Sequence, residues 1–404
     1  MEIKTSAIPS DWKMMTLGQV GVTVTGKTPS KDNPEDWGDL LSFITPTDII
    51  SDSKHLKTVA RKLSGSGINT LKKMIIPAGS VVVTCIGSDM GKVVINSYDS
   101  VTNQQINSIK VNDNNNKDFV YYLLKNSYSI LRNHAIGGST MPILNKSTFE
   151  SLEFIFPSLT EQQAIAAALS SLDDKIELLR TQNKTLENIT QTIFKHWFVD
   201  FEFPGKDGNP YKSSGGKMIE SALGKIPNNW RIGKYEDVVD VVTGKGMKKD
   251  NLRSNGLYKV LGANGEIGKT DEYLFDEDLI LTGRVGTLGT IFISRGKVWI
   301  SDNVLISKPK SDENCYFAYF QLRKLNLESL NRGSTQPLIT QTDLKNVEII
   351  LPPKEILFDW HCMASSLFTK IFNNDFQINT LSKIRDTLLP KLMKGEIRVA
   401  SFNN

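Results

Sequence analysis

The chain has 404 residues, 39% of them hydrophobic and 23% charged, which is ordinary globular composition. That length exceeds the roughly 250 to 300 residues at which one hydrophobic core stops growing, so two or more domains are expected. With 48 Lys and Arg against 44 Asp and Glu the net charge is only +4, so a polyanion would have to be held by local clusters of cations.

Three cysteines, Cys85, Cys315 and Cys362, show no CxxC spacing, which argues against a disulfide framework and a cysteine zinc site. Met1 to Ser10 lacks the basic-then-apolar run of a signal peptide, and no stretch approaches 18 consecutive apolar residues. The expectation is a cytoplasmic protein with no membrane segment.

In chain order, residues 1–157 are dense in Gly, Thr, Val and Ile, with β-like runs at Ser80 to Thr84 and Val93 to Asn96, and read as a mixed, mainly β globule. Near its start Gly21-Val22-Thr23-Val24-Thr25-Gly26-Lys27-Thr28 satisfies the phosphate-loop pattern GxxxxGK[ST]. That chemistry needs a helix beginning at the Lys-Thr, yet Pro29 and Pro34 follow, which excludes a long helix there. Residues 158–203 form a long stretch free of Pro and Gly and read as a helix. A polar linker, 204–225, follows.

A second globule occupies 226–353, with β-like runs at Leu279 to Thr282 and Thr290 to Ser294. A second helix spans 354–396, and a short tail, 397–404, ends the chain.

The second half repeats the first. Ile8-Pro9-Ser10-Asp11-Trp12 returns as Ile226-Pro227-Asn228-Asn229-Trp230, and Val24-Thr25-Gly26-Lys27 as Val242-Thr243-Gly244-Lys245, both 218 positions on. Ile86-Gly87-Ser88 matches Val285-Gly286-Thr287. Phe119-Val120-Tyr121-Tyr122 matches Phe317-Ala318-Tyr319-Phe320. After deletions in the second copy the register holds at 195 positions, where Gly138-Ser139-Thr140-Met141-Pro142 matches Gly333-Ser334-Thr335-Gln336-Pro337.

In the first helix Ile165, Leu169, Leu172, Ile176, Leu179, Leu186 and Ile193 fall on alternating steps of four and three, with Asn183 and Thr190 in the remaining places. Adding 195 gives Trp360, Ala364, Leu367, Ile371, Asn374, Leu381 and Leu388, with Ile378 and Arg385 at the polar places. Helices of about 38 residues are roughly 57 Å long, more than one globule covers, so they are expected to cover each other. A pseudo-two-fold between the copies makes them antiparallel. The expected fold is therefore α+β: two mixed, mainly β globules related by a pseudo-two-fold repeat and separated by two long antiparallel coiled-coil helices. The end of helix two then lies beside the start of globule one.

Signs of catalysis are missing from the sequence. His55, His134, His196 and His361 form no HExxH or other ligand spacing, and no Gly-x-Ser-x-Gly elbow occurs. No metal site is expected.

At Phe194-Lys195-His196-Trp197-Phe198-Val199-Asp200-Phe201-Glu202-Phe203-Pro204, followed by Pro210-Tyr211-Lys212-Ser213-Ser214-Gly215-Gly216, the chain resembles the specificity subunits of type I restriction-modification systems. Leu223-Gly224-Lys225-Ile226-Pro227 with Trp230, the Gly-Ser-Thr-x-Pro pair and Leu388 to Ile397 are also typical of that family. The resemblance implies two target-recognition domains, each reading half of a bipartite double-stranded DNA site. It implies helices that dock two methyltransferase subunits carrying S-adenosylmethionine, and restriction subunits using ATP and magnesium. It also implies that this chain is not itself an enzyme.

Candidate phosphate contacts are Lys27, Lys31, Lys54, Lys57, Arg61 and Lys62 in the first globule and Lys245, Lys248, Lys249 and Arg253 in the second. The competing reading is a solvated charged face. Base reading needs planar or bidentate groups, which singles out Arg284, Gln336 with Ser334 and Thr335, and the corresponding Ser139 and Thr140. The aromatic group Phe194, Trp197, Phe198, Phe201 and Phe203 reads as a helix cap or a partner-docking face rather than a base-stacking platform. The shared Thr-Gly-Lys suits a structural turn or a backbone-phosphate contact. The rival to DNA recognition is a non-catalytic coiled-coil scaffold for proteins.

Overall fold

The computed structural model describes residues 9–50, 52–135, 142–285, 290–330 and 338–399. The chain divides into two compact units, Met1–Thr181 with Asp375–Asn404, and Gln182–Asn374. These cuts fall inside the two long helices. Each unit therefore holds one globule, half of one long helix and half of the other.

The first repeat runs β1 (Lys13–Thr16), α1 (Leu17–Val20), β2 (Gly21–Thr25), β3 (Trp37–Gly38), β4 (Leu41–Ile44), β5 (His55–Leu56), β6 (Arg61–Leu63) and α2 (Gly65–Thr70). It continues with β7 (Val81–Thr84), β8 (Val93–Asn96), β9 (Ser100–Thr102), β10 (Ile106–Val111), α3 (Lys117–Lys125), α4 (Tyr128–Asn133), α5 (Lys146–Ser151), β11 (Glu153–Phe156) and α6 (Leu159–Phe198). After β12 (Met218–Ile219) and β13 (Ile226–Pro227) the second repeat runs β14 (Arg231–Lys234), β15 (Val239–Thr243), β16 (Tyr258–Gly262), β17 (Gly265–Thr270), β18 (Phe275–Asp276) and β19 (Leu279–Gly283). It ends with β20 (Ile291–Ser294), β21 (Lys297–Ile300), β22 (Val304–Pro309), α7 (Asp312–Lys324), α8 (Gln341–Lys345), β23 (Glu348–Leu351) and α9 (Lys354–Met393).

Both globules are built on one plan. A sheet ordered β2-β10-β7-β8-β5 in the first corresponds to β15-β22-β19-β20 in the second. Each has a second sheet, β3-β6-β4-β9 and β17-β16-β21-β18, in which the pairs β4·β9 and β16·β21 are parallel. The opening strand pairs antiparallel with the closing one in both, β1 with β11 and β14 with β23.

The reason lies in strand alternation, since successive side chains point to opposite faces. Val81, Val83, Val93 and Ile95 join a core with α3 and α6, whereas Val82, Val94 and Ile106 join another with Ile44, Leu56 and Ile76. In the second globule Ile280 and Leu305 face the helix side, and Leu279, Leu281, Val304 and Ile306 the other. Strands covered on both faces read as unbroken apolar runs.

In the first unit Ile165 and Leu169 of α6 share a core with Leu389, Leu392 and Met393 of α9. Asp173 meets Arg385 there, and Glu161 meets Arg398, so rising numbers face falling ones and the two segments are antiparallel. Trp12 lies in the same core and donates from Nε1 to Glu161 at 3.2 Å, while Arg398 also holds Asp11 at 2.7 Å. The end of the second helix thus packs on the start of the first globule. In the second unit Asn374 Nδ2 donates to Asn183 Oδ1 at 2.8 Å, and Phe194 and Phe198 pack on Trp360, again antiparallel.

The polar seam positions are satisfied differently. Thr190 is buried and donates back to Leu186 O in its own helix at 2.8 Å. Arg385 makes a buried ion pair with Asp173 at 2.7 Å, the two side chains only 7% and 8% exposed, and Tyr122 donates its hydroxyl to the same carboxylate at 2.7 Å. Burial, followed by the adjoining Asp173 charge, pushes the Tyr122 hydroxyl well above the usual phenol range, so it stays a donor. The corresponding residues of the second unit are apolar at two of three places: Phe320 for Tyr122, Phe368 for Asp173 and Thr190 for Arg385, with the Phe320 and Phe368 rings 6.1 Å apart.

The phosphate-loop pattern is a strand and a turn. Gly21–Thr25 is β2, and no helix follows before the short 3-10 turn Pro34–Asp36. Lys27 N–H donates to Thr102 O at 2.9 Å and Lys245 N–H to Ile300 O at 2.8 Å, so these amides are engaged within the protein. A Cβ on Gly26 would lie 2.0 Å from Thr102 O, and one on Gly244 2.3 Å from Ile300 O. Thr-Gly-Lys is retained because two backbones touch at the glycine.

The linker 204–225 has no buried residue, as a solvated segment should, yet it is locally ordered. Phe203 stacks on Tyr211 at 4.7 Å, Tyr211 donates to Lys217 O at 2.9 Å, and β12 pairs with β13. No helix among the described residues is long and apolar enough to cross a membrane.

Two stability predictions follow from these contacts. Asp173→Ala removes the carboxylate that a buried guanidinium and a phenol share and leaves the guanidinium with Asp386 alone, at 2.8 Å; it is expected to cost about 3 kcal/mol in urea unfolding of the full chain, the low end for a broken buried pair. The triple change Tyr122→Phe, Asp173→Phe, Arg385→Thr, which installs the second unit's residues, should recover most of that loss; a loss as large as the single variant's would show that the charges are not its source. Gly26→Ala and Gly244→Ala should each cost about 1 to 3 kcal/mol through backbone displacement, read as a lowered urea midpoint.

Candidate nucleic-acid interface

The loop ends beyond β2 and β15 carry exposed cations on a rigid base. Lys27 and Lys31 are exposed in the first globule, and Lys245, Lys248 and Lys249 in the second. Arg253 is exposed and paired with Asp271 at 3.1 Å. Surface pairs of this kind are weak and exchange readily for a phosphate.

Just after β5 of the first globule Lys57 pairs with Glu177 at 3.1 Å. Lys57 and Lys62 border a shallow cleft of about 350 Å³ with Leu40 and Tyr98. The Arg61 guanidinium lies 4.1 Å over the Trp37 ring, a stacking that holds it flat on the surface.

Lys54 requires correction as a phosphate contact. It is 8% exposed, ion-paired with Asp118 at 2.7 Å, bonded to Ser170 Oγ at 2.6 Å, and 5.4 Å from the Tyr122 ring. Its charge ties the 52–57 loop to α3 and α6. Arg180 adds a bond to Asp52 O at 3.0 Å. Burial, and then the Lys54 charge, hold His55 below the usual imidazole range, so it is neutral at pH 7.

Arg284 follows β19 directly and is half-buried. Its N–H donates to Asn303 O at 2.9 Å and its C=O accepts from Ile339 N at 3.1 Å, so the backbone is pinned on both sides. Among the described residues its buried Nε has no hydrogen-bond partner. The first globule has the same bonds around Cys85, from Cys85 N to Gln105 O at 2.7 Å and from Leu144 N to Cys85 O at 2.9 Å. Burial pushes the Cys85 thiol up to about 12. One pinned position therefore carries an inert thiol in one copy and a guanidinium in the other. Ser139, Thr140, Ser334, Thr335 and Gln336 lie outside the described residues.

The aromatic group lies in the second unit's core. Phe194, Phe198, Phe201 and Phe203 are buried and Trp197 is half-buried. Phe201 takes φ of +62°, the left-handed conformation that reverses the chain after α6 and returns Phe201 and Phe203 onto Trp230 at 5.5 and 5.1 Å. These four rings are enclosed and offer no face to a base or a partner.

Sequence reasoning passed over the polar tip Asn103-Gln104-Gln105, which links β9 of one sheet to β10 of the other, because nothing local distinguishes it from any polar turn. Its signal is the partner of Thr28, 76 residues away: Thr28 Oγ1 donates to Gln104 Oε1 at 2.7 Å. No group of three or more His, Cys, Asp or Glu among the described residues is arranged to hold a metal ion.

The family model described as the type I restriction modification DNA specificity domain matches residues 9–188 and 227–361, once per repeat. The chain is 31% identical to the type I restriction enzyme MjaIX specificity subunit of Methanocaldococcus jannaschii, over 97% of this chain and 95% of that one. It is 24% identical to the HindI specificity subunit of Haemophilus influenzae, over 96% of this chain and all of that one. A crystal structure of a type I restriction-modification S subunit from M. genitalium shares the fold at TM-score 0.55 and 18% identity, covering 97% of this chain and 98% of that chain. With a tandem match to the DNA-specificity domain and full-length likeness to a specificity subunit, the chain belongs to the type I restriction-modification specificity subunits, the non-catalytic DNA-recognition members of those enzymes.

Proposed function

We propose that each globule reads one half of a bipartite double-stranded DNA site while the long helices hold two methyltransferase subunits, so that adenine methylation, or cutting by associated restriction subunits, is directed to that site. S-adenosylmethionine would be bound by the methyltransferase subunits, and ATP with magnesium by the restriction subunits. The observation that carries the reading is the pinned position held by Cys85 in one globule and Arg284 in the other by matching backbone bonds. One frame with different side chains at one loop base is what two readers of different half-sites require.

Within that reading the exposed Lys27, Lys31, Lys62, Lys245, Lys248 and Lys249 meet phosphates and set affinity, and Arg284 meets a guanine edge in the major groove. The Gly-Ser-Thr segments with Ser139, Thr140, Ser334, Thr335 and Gln336 are further proposed base readers. Exposed apolar side chains on the solvent faces of the long helices, Leu178, Ile189, Ile384 and the 73%-exposed Phe376, support protein docking there.

Replacing residues 229–352 with the same region of a relative should change one half of the methylated site and leave the other intact; a change in both halves or in neither would refute separate readers. Arg284→Ala should cost about 1 to 3 kcal/mol and relax a single base position, whereas Lys27→Ala or Lys245→Ala should weaken all sequences alike and flatten the salt dependence. Binding titrations at several salt concentrations separate the two behaviours.

A further inference from the structure

Thr28 completes the phosphate-loop pattern, yet no helix begins there and its hydroxyl is bonded to Gln104. We propose that Gln104 is a base-reading side chain for adenine in the half-site of the first globule, with Thr28 as its positioning residue. This rests on the two-reader function above.

Gln104 is exposed, but the residues on either side of it are fixed. Asn103 is buried, its N–H donates to Ile44 O at 3.0 Å and its Oδ1 accepts from Gln105 N at 3.1 Å. Asn103 Nδ2 donates to Gln105 Oε1 at 3.0 Å, and Gln105 O accepts from Cys85 N at 2.7 Å. The tip is therefore an outward amide on an immobilised base, which lowers the ordering cost of a specific contact.

The Thr28 bond also tethers the amide at one end. With Thr28 Oγ1 donating to Oε1, the side chain still offers the second Oε1 lone pair and two Nε2 hydrogens. A donor beside an acceptor matches the adenine major-groove edge, where N7 accepts and N6 donates. Guanine presents two acceptors there and would oppose Oε1. Lys27, next to Thr28 and exposed, is placed to meet a phosphate beside the same edge.

The second repeat sharpens the assignment. The bonds that anchor the tip, Lys27 N to Thr102 O and Cys85 N to Gln105 O, recur as Lys245 N to Ile300 O and Arg284 N to Asn303 O. Gln104 therefore corresponds to Asp302 and Thr28 to Gly246. Asp302 is exposed and accepts from Ser301 Oγ at 3.2 Å, so the group at this position, a carboxylate, offers only acceptors. Scaffold atoms are retained at both tips while the outward group changes from amide to carboxylate, as expected of a specificity position rather than a structural one.

The test maps methylated sites in a host carrying the full chain with its methyltransferase subunits. The unaltered chain should methylate a split site with one adenine requirement that Gln104→Ala removes, lowering discrimination at that position roughly ten- to a hundred-fold and leaving the other half unchanged. Gln104→Glu, nearly isosteric and acceptor-only, should shift that position from adenine toward cytosine, and Thr28→Val should relax it partly. If Gln104→Ala unfolds, Gln104→Glu decides alone. An unchanged motif in both Gln104 variants would overturn the assignment while leaving the two-reader function standing. A wild-type motif that is not split would overturn that function and this assignment with it.

Discussion

An α-helix of 40 residues, about 60 Å long, exposes more apolar surface than it can cover by itself, and both units are organised around covering it. Each unit does so by laying a segment of α6 against an antiparallel segment of α9 and against a helix of its own globule, α3 or α7. Those globule helices are buried along almost their whole length, from Phe119 to Leu124 and from Cys315 to Leu322. Because α3 and α7 also pack on the central strands, globule and helix segments share one core in each unit. The recognition loops stand on a frame that cannot shift piecemeal.

The two copies solve the same burial problem with different chemistry. Where the first closes its helix junction with Tyr122, Asp173 and Arg385, the second uses Phe320 and Phe368 beside Thr190. A buried ion pair gains little over well-packed apolar groups, but removing one partner is costly, so the three polar residues must change together or not at all. The backbone contacts at Gly26 and Gly244 have no such freedom, since any Cβ collides with a carbonyl. Core chemistry can drift in concert, turn glycines cannot, and exposed tips such as Gln104 and Asp302 can vary singly, which suits a DNA-specificity subunit.

Much of the frame was legible from residue patterns. The central strands read from Val and Ile runs, the helices from heptads uninterrupted by Gly, and the false phosphate loop from Pro29 and Pro34, all of which depend on neighbours a few positions away. Lys54 was not legible. It resembles any loop lysine until Asp118 and Ser170, distant in sequence, enclose it. Phe201 and Phe203 likewise left cap and docking face open until the left-handed turn at Phe201 brought both onto Trp230.

The sequence by itself determined the duplication, the order of elements, the helix pairing and the family, because repeated spacing and apolar periodicity are local and survive substitution. Only the tertiary structure decided which charges are available and which are enclosed. The cost of burying a charge depends on partners that the chain brings together from afar, as with Arg385 and Asp173 or Lys54 and Asp118. It likewise decided that the compact units cut across the repeats, since an exposed heptad stripe names the face to be covered and folding chooses what covers it.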